Sequence, residues 1–179
     1  MGKNISLTKL YLISPPIIKV NEFTKILTAV LKTGLVSCFQ LRLKNIEDNF
    51  IISVAKDLIP ICRQYNVPFI LNDRLDLANE VNADGVHLGE NDGSVIEARK
   101  LLGPKAIIGA SCYNSKHLAM EAAESGADYV AFGAFFDTKT KIPKTKALNN
   151  ILTMINLFFI SVFVLIFLRI GDKARMFDQ

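Results

Sequence analysis

Through about residue 132 the chain alternates short apolar runs with stretches of helical periodicity. Leu10-Tyr11-Leu12-Ile13 has the look of a strand and stops at Ser14-Pro15-Pro16. In 22–32, Phe23, Ile26, Leu27, Val30 and Leu31 recur at helical spacing, and Gly34 sits where a helix stop belongs. The same reading places strands at 36–43, 67–71, 85–88, 106–110 and 128–132. Helices are expected at 48–65, with Pro60 as a kink or break, and at 75–81, 94–102 and 115–125. Ser94-x-x-Glu97 is a capping box that opens the helix to Leu102.

Strands recurring every ~20 residues with helices between them predict right-handed βαβ units and a parallel sheet. Ser14-Pro15-Pro16-Ile17 after the first strand has nothing of the glycine-rich dinucleotide turn. The even pitch fits a TIM-barrel, (β/α)8-type α/β fold better, although such barrels take at least ~200 residues. The expectation is an incomplete barrel of six βα units over residues 1–146, then a divergent tail over 147–179. In that tail, 151–168 runs from Ile151 to Leu168 without a charge, interrupted only by Thr153, Asn156 and Ser161. A run of that length reads as a C-terminal hydrophobic helix, either membrane-spanning or covering the barrel.

Charge narrows the range of functions. Residues 1–138 carry 14 Lys and Arg against 15 Asp and Glu, while Lys139, Lys141, Lys144 and Lys146 crowd into one short stretch. A near-neutral body offers no broad cationic face, which argues against nucleic-acid binding. Cys38, Cys62 and Cys112 are odd in number and widely spaced, so neither a disulfide framework nor a zinc site is expected. Free thiols and no secretory opening predict a cytoplasmic protein, with membrane association through the tail as the alternative.

In a parallel barrel, chemistry gathers at the C-terminal strand ends. Gln40, Arg42 and Lys44 alternate with Leu41 and Leu43, so three polar groups are expected on one face, suited to a polyanion. Asn72 and Asp73 follow the third strand and Asp92 follows the fourth. The two carboxylates are candidates for Mg²⁺, with helix capping as the equally weighted alternative for Asp73. Ser111 follows the fifth strand, where its hydroxyl can touch a substrate or merely precede a helix. His87 reads as a satisfied core histidine, Cys112 as a buried thiol and His117 as a solvent-facing side chain. After the sixth strand, Thr138, Thr140 and Lys141 form a credible anion clamp.

In this order the residues resemble the thiamine phosphate synthase family. The family's Q-L-R-x-K, N-D, H-x-G-Q-x-D, serine and G-P-x-F/Y-x-T-x-T-K motifs correspond to Gln40 through Lys44, Asn72-Asp73, His87 through Asp92, Ser111, and Gly133 through Lys141. Glu90 replaces the usual Gln and Ala134 the usual Pro. The resemblance spans residues 10–141 and implies a transferase of thiamine biosynthesis. Such an enzyme joins hydroxymethylpyrimidine diphosphate to a thiazole phosphate, giving thiamine phosphate and pyrophosphate. It implies that Gln40, Arg42, Lys44, Asn72 and Lys141 hold the pyrimidine diphosphate and that Asp73 and Asp92 hold Mg²⁺. Ser111 would touch the pyrimidine, and Thr138 and Thr140 would face the thiazole phosphate. Arg42, Lys44, Ser111 and Lys141 would be the catalytic set, and the partners would be these two small molecules.

The family's Gly-Gly-Ile turn after strand seven and its isoleucine–serine pair at strand eight do not occur here, so the tail reads as a replaced or frameshifted C-terminus. Weak coupling activity is the corresponding expectation. The alternatives are a degenerate, non-catalytic synthase fragment, a membrane-tethered protein and the thiazole tautomerase branch.

Overall fold

In the computed structural model the described residues are 10–133 and 166–169, the last four as backbone only. Six strands alternate with five helices through Phe132. In order these are β1 (Leu10–Ile13), α1 (Val20–Leu31), β2 (Val36–Leu41), α2 (Asp48–Gln64), β3 (Phe69–Asn72) and α3 (Leu75–Glu80). They continue with β4 (Gly85–Leu88), α4 (Val95–Leu102), β5 (Ile107–Tyr113), α5 (Lys116–Glu124) and β6 (Tyr129–Phe132), and β7 (Ile166–Arg169) follows. The fold is therefore α/β, built on the predicted repeat. The chain divides into two compact units, residues 1–86 and 87–179.

In the first unit, β1 pairs with β2 and β2 with β3, all parallel. Helices lie between these strands because their apolar positions recur on one face. α2 buries Ile51, Val54, Ala55, Leu58, Ile59 and Cys62, while Lys56, Asp57 and Pro60 are exposed. Of the expected kink or break at Pro60, the break does not form, since α2 continues through it. It sits on the solvent side, where water can satisfy the carbonyl left without an N–H donor. Phe39 and Phe69 are fully buried, their ring centroids 5.7 Å apart. Together with Leu27, Leu31, Val54 and Leu58 they make this unit's core.

In the second unit β5 and β6 are parallel. Their register shifts between Ser111 and Tyr113, a bulge of the kind that re-aims side chains near functional sites. Ser94 and Glu97 form the predicted capping box, and Ser115 caps α5 by accepting the Leu118 N–H at 3.1 Å. β7 pairs antiparallel with β6, setting Ile166 opposite Phe132 and Arg169 opposite Tyr129. This corrects the end of the expected hydrophobic helix: Ile166, Phe167 and Leu168 are strand. Ile166 is β-branched and Phe167 aromatic, which suits an extended backbone, and pairing satisfies peptide groups along β6. The rest of that expectation, 151–165, lies outside the described residues. No helix among the described residues is long and apolar enough to cross a membrane.

Candidate functional site

In the first unit, Gln40 on β2 is 2% exposed, and its Nε2 donates to Asn72 Oδ1 at 3.3 Å. A buried amide at the end of a strand needs such a partner, and Asn72 at the end of β3 supplies it. β2 ends at Leu41, so Arg42 and Lys44 follow the strand rather than alternating along it as expected. Their backbone is still held. The Arg42 N–H donates to Ser14 Oγ at 2.8 Å, and the Lys44 N–H donates to Pro16 O at 3.2 Å. Ser14 in turn donates its N–H to Gln40 O at 2.9 Å. It was missed as a site residue because Ser-Pro-Pro reads only as a strand terminator. Its 5% exposure is the physical signal, and a sequence does not display burial of one hydroxyl.

The Lys44 ammonium forms an ion pair with Asp73 Oδ2, and both side chains remain partly accessible. Asp73 has φ +65°, and the Arg74 N–H closes back on Asn72 O at 2.8 Å. That three-residue turn lifts Asp73 out of the strand into a conformation that a short acidic residue tolerates. Arg74, rather than Asp73, occupies the N-cap position of α3, and it makes no side-chain cap. Arg74 instead places its guanidinium between Asp48 and Asp76, bonding Asp48 Oδ2 and Asp76 Oδ2 at 2.7 Å each. The structure thus brings Gln40, Asn72, Lys44 and Asp73 together at the ends of β2 and β3, with Arg42 half-buried beside them in the chain.

In the second unit, Asp92 Oδ2 accepts the Gly89 N–H at 2.8 Å, closing the loop after β4. Ser94, not Asp92, caps the following helix, as the capping box predicts. Ser111 lies within β5 rather than after it, because β5 runs on to Tyr113. His87 is buried and satisfied on both ring nitrogens, with Nδ1 3.0 Å from Tyr129 Oη and Nε2 2.9 Å from Ser111 Oγ. It is a core histidine, as read, but one that touches a candidate site residue. Tyr129 itself was missed, since a tyrosine in a strand carries no sequence mark of what its hydroxyl reaches.

Cys112 is buried, and burial pushes its thiol up to about 12. It is an inert core residue. His117 is exposed beside Glu121, 3.4 Å away. No cluster of three or more metal-ligating side chains forms among the described residues. Thr138, Thr140 and Lys141 lie outside the described residues.

A family model described as thiamine monophosphate synthase matches residues 10–163. The thiamine-phosphate synthase of Rhodospirillum centenum is 52% identical over 145 residues, 81% of this chain and 70% of that protein. That of Erythrobacter litoralis is 50% identical over 136 residues, covering 75% of this chain and 63% of its own. Among solved structures, thiamine phosphate pyrophosphorylase from Pyrococcus furiosus superposes with a TM-score of 0.62 at 34% identity. The match covers 75% of this chain and 64% of that one. The chain thus spans roughly two thirds of the length of these relatives.

Proposed function

The chain belongs to the thiamine monophosphate synthase family, and we propose that it takes part in joining hydroxymethylpyrimidine diphosphate to a thiazole phosphate. The bond between the pyrimidinylmethyl carbon and the diphosphate oxygen breaks, and its electron pair leaves with pyrophosphate. The thiazole nitrogen supplies the pair for the new carbon–nitrogen bond, which gives thiamine phosphate. The six strands and five helices through Phe132 are proposed to be part of a (β/α)8-type barrel.

The observation that carries this reading is the group at the ends of β2 and β3. There a Gln40–Asn72 hydrogen bond lies in the same unit as the Lys44–Asp73 ion pair. Lys44 and Arg42 supply positive charge for a diphosphate, and charge-assisted bonds of this kind strengthen as negative charge develops on the leaving group. Gln40 and Asn72, fixed by each other, orient rather than ionise. Ser111 offers a hydroxyl to the pyrimidine. Lys141 would complete the cationic set, and Thr138 and Thr140 would receive the thiazole phosphate.

Asp73 and Asp92 are the proposed Mg²⁺ ligands. Hard carboxylate oxygens suit that ion, which is commonly held by one or two carboxylates together with substrate phosphate, so a three-residue cluster is not required. When bound, Mg²⁺ would neutralise charge on the departing diphosphate. Incubating the chain with both substrates and Mg²⁺, then separating thiamine phosphate by chromatography, tests the proposal. Product formation that is abolished by chelator supports it. No product from the chain, where a full-length relative turns over alongside, refutes it.

A further inference from the structure

We propose that Tyr129 and His87 are positioning residues that polarise Ser111, through a chain running Tyr129 O–H to His87 Nδ1 and His87 Nε2–H to Ser111 Oγ, and so leave the serine hydrogen free for an acceptor on the substrate. The inference rests on the reading of Ser111 as a pyrimidine contact, and it adds two residues and a direction to it.

The geometry begins in the register. Tyr129 lies opposite Gly109 on the neighbouring strand, and Ser111 stands two residues further along, on the same face as Gly109. A Cβ at position 109 would overlap the Tyr129 ring, so glycine there is what lets the phenol lie across β5. The His87 and Tyr129 rings are stacked, with centroids 5.6 Å apart and planes at 22°. Both residues are 6% exposed, which fixes the ring between its two hydroxyl partners at 3.0 and 2.9 Å. The bulge beginning at Ser111 then turns the strand away just where the chain of bonds ends.

The direction follows from the donors. A neutral imidazole has one N–H and one bare nitrogen, so of its two neighbours one must donate to it and one must accept from it. A phenol is more acidic than an aliphatic hydroxyl and is the better donor; the aliphatic oxygen is the better acceptor. Tyr129 therefore donates to Nδ1, and Nε2–H donates to Ser111. With one lone pair of Ser111 Oγ taken by Nε2–H, the serine O–H is left to donate to its ligand, matched to a ring nitrogen of a pyrimidine.

Two measurements test this, one of them independent of activity. The ¹⁵N shifts of the His87 imidazole in the intact chain should show a protonated Nε2 and a bare Nδ1. The opposite tautomer overturns the proposal. Tyr129→Phe should lower kcat/KM for the pyrimidine diphosphate by about tenfold, the scale of one hydrogen bond. The same change made in a Ser111→Ala background should cost nothing further, because the tyrosine acts only through the serine. Equal losses in both backgrounds would make Tyr129 a packing residue and overturn the role. His87→Gln, which can still offer an amide N–H, should retain more activity than His87→Leu, and equal loss would count against the donor role. If the tautomer is as stated but the parent chain neither binds nor couples its substrates, the functional reading fails and the polarised chain stands.

Discussion

Asp128 and Ile108 exchange two hydrogen bonds: the Asp128 N–H donates to Ile108 O at 2.7 Å, and the Asp128 carboxylate accepts the Ile108 N–H at 2.8 Å. Asp84 does the same for Phe69, at 2.9 and 2.8 Å. Each aspartate sits just before one strand and closes the start of the preceding one. The two units thus use one device, in Ala83-Asp84 and again in Ala127-Asp128. In the second unit the device is reinforced. Arg99 on α4 bonds Asp128 at 2.7 Å, Gly126 O at 2.8 Å and Ala106 O at 2.6 Å.

Asp128→Ala should therefore destabilise the protein more than Asp84→Ala, because it leaves both a strand N–H and part of the Arg99 guanidinium unmatched. Losses of about 2–3 and about 1 kcal/mol are expected on that basis. Urea denaturation of the two variants provides the comparison. Equal midpoints would mean that Arg99 adds nothing to the junction.

Gly109→Ala should cost about 1–3 kcal/mol, the usual range for overpacking a filled site. The added methyl group meets the Tyr129 ring, which has no free space on that side. Thermal unfolding reads the loss. A variant as stable as the parent would show that the ring moves aside freely, and it would also weaken the positioning role given to Tyr129.

All three cysteines should resist alkylation in the native protein. Burial pushes the thiols of Cys38, Cys62 and Cys112 up to about 12 from an ordinary value near 9.0. The sign follows from that direction. A thiol whose folded value is raised contributes stability in full below the ordinary value, and the contribution is lost as pH rises towards the folded one. Stability should hold through neutral pH and fall in the alkaline range between those values. Iodoacetamide labelling, counted by mass spectrometry with and without urea, checks this. Rapid labelling of Cys112 in the folded chain would contradict its place as an inert core thiol.

Arg74 holds the carboxyls of Asp48 and Asp76 below the usual carboxylate range by hydrogen bonding to both. Their contribution is present above the ordinary carboxylate value of about 4 and is lost as pH falls through the lowered ones. Arg74→Ala should consequently flatten the acid limb of the stability curve while changing its alkaline limb little. Chemical denaturation at a series of acidic pH values shows whether it does.

The repeat was readable from the sequence because period-two and period-3.6 patterns survive in single stretches such as Leu10-Tyr11-Leu12-Ile13 and 48–65. The Ser94–Glu97 capping box was readable for the same reason: both partners are local. What the sequence hid is what depends on a neighbouring strand. The apolar run predicts that β5 stops at Ala110, yet pairing with β6 carries it to Tyr113. The alternation of Arg42 and Leu43 makes β2 read two residues too long; past Leu41 the Arg42 N–H goes to Ser14 Oγ. The order of polar residues Gln40, Lys44, Asn72 and Asp73 was legible. Their pairing, Gln40 with Asn72 and Lys44 with Asp73, arises only when β2 and β3 lie side by side. The hydroxyls of Ser14 and Tyr129 left no trace in the sequence, because burial and partnership over distance have no local pattern.

The residues at the ends of β2 and β3 are proposed to bind a pyrimidine diphosphate. Calorimetric titration of the intact chain with hydroxymethylpyrimidine diphosphate, with Mg²⁺ and again with chelator, tests it most directly. The prediction is saturable binding that depends on Mg²⁺, weakened at least about tenfold by Lys44→Ala through loss of a charge-assisted hydrogen bond. Asp73→Asn, in a chain that still unfolds cooperatively, should erase the difference between Mg²⁺ and chelator. Binding of equal strength in the parent, Lys44→Ala and Asp73→Asn proteins would show that this group does not hold the diphosphate.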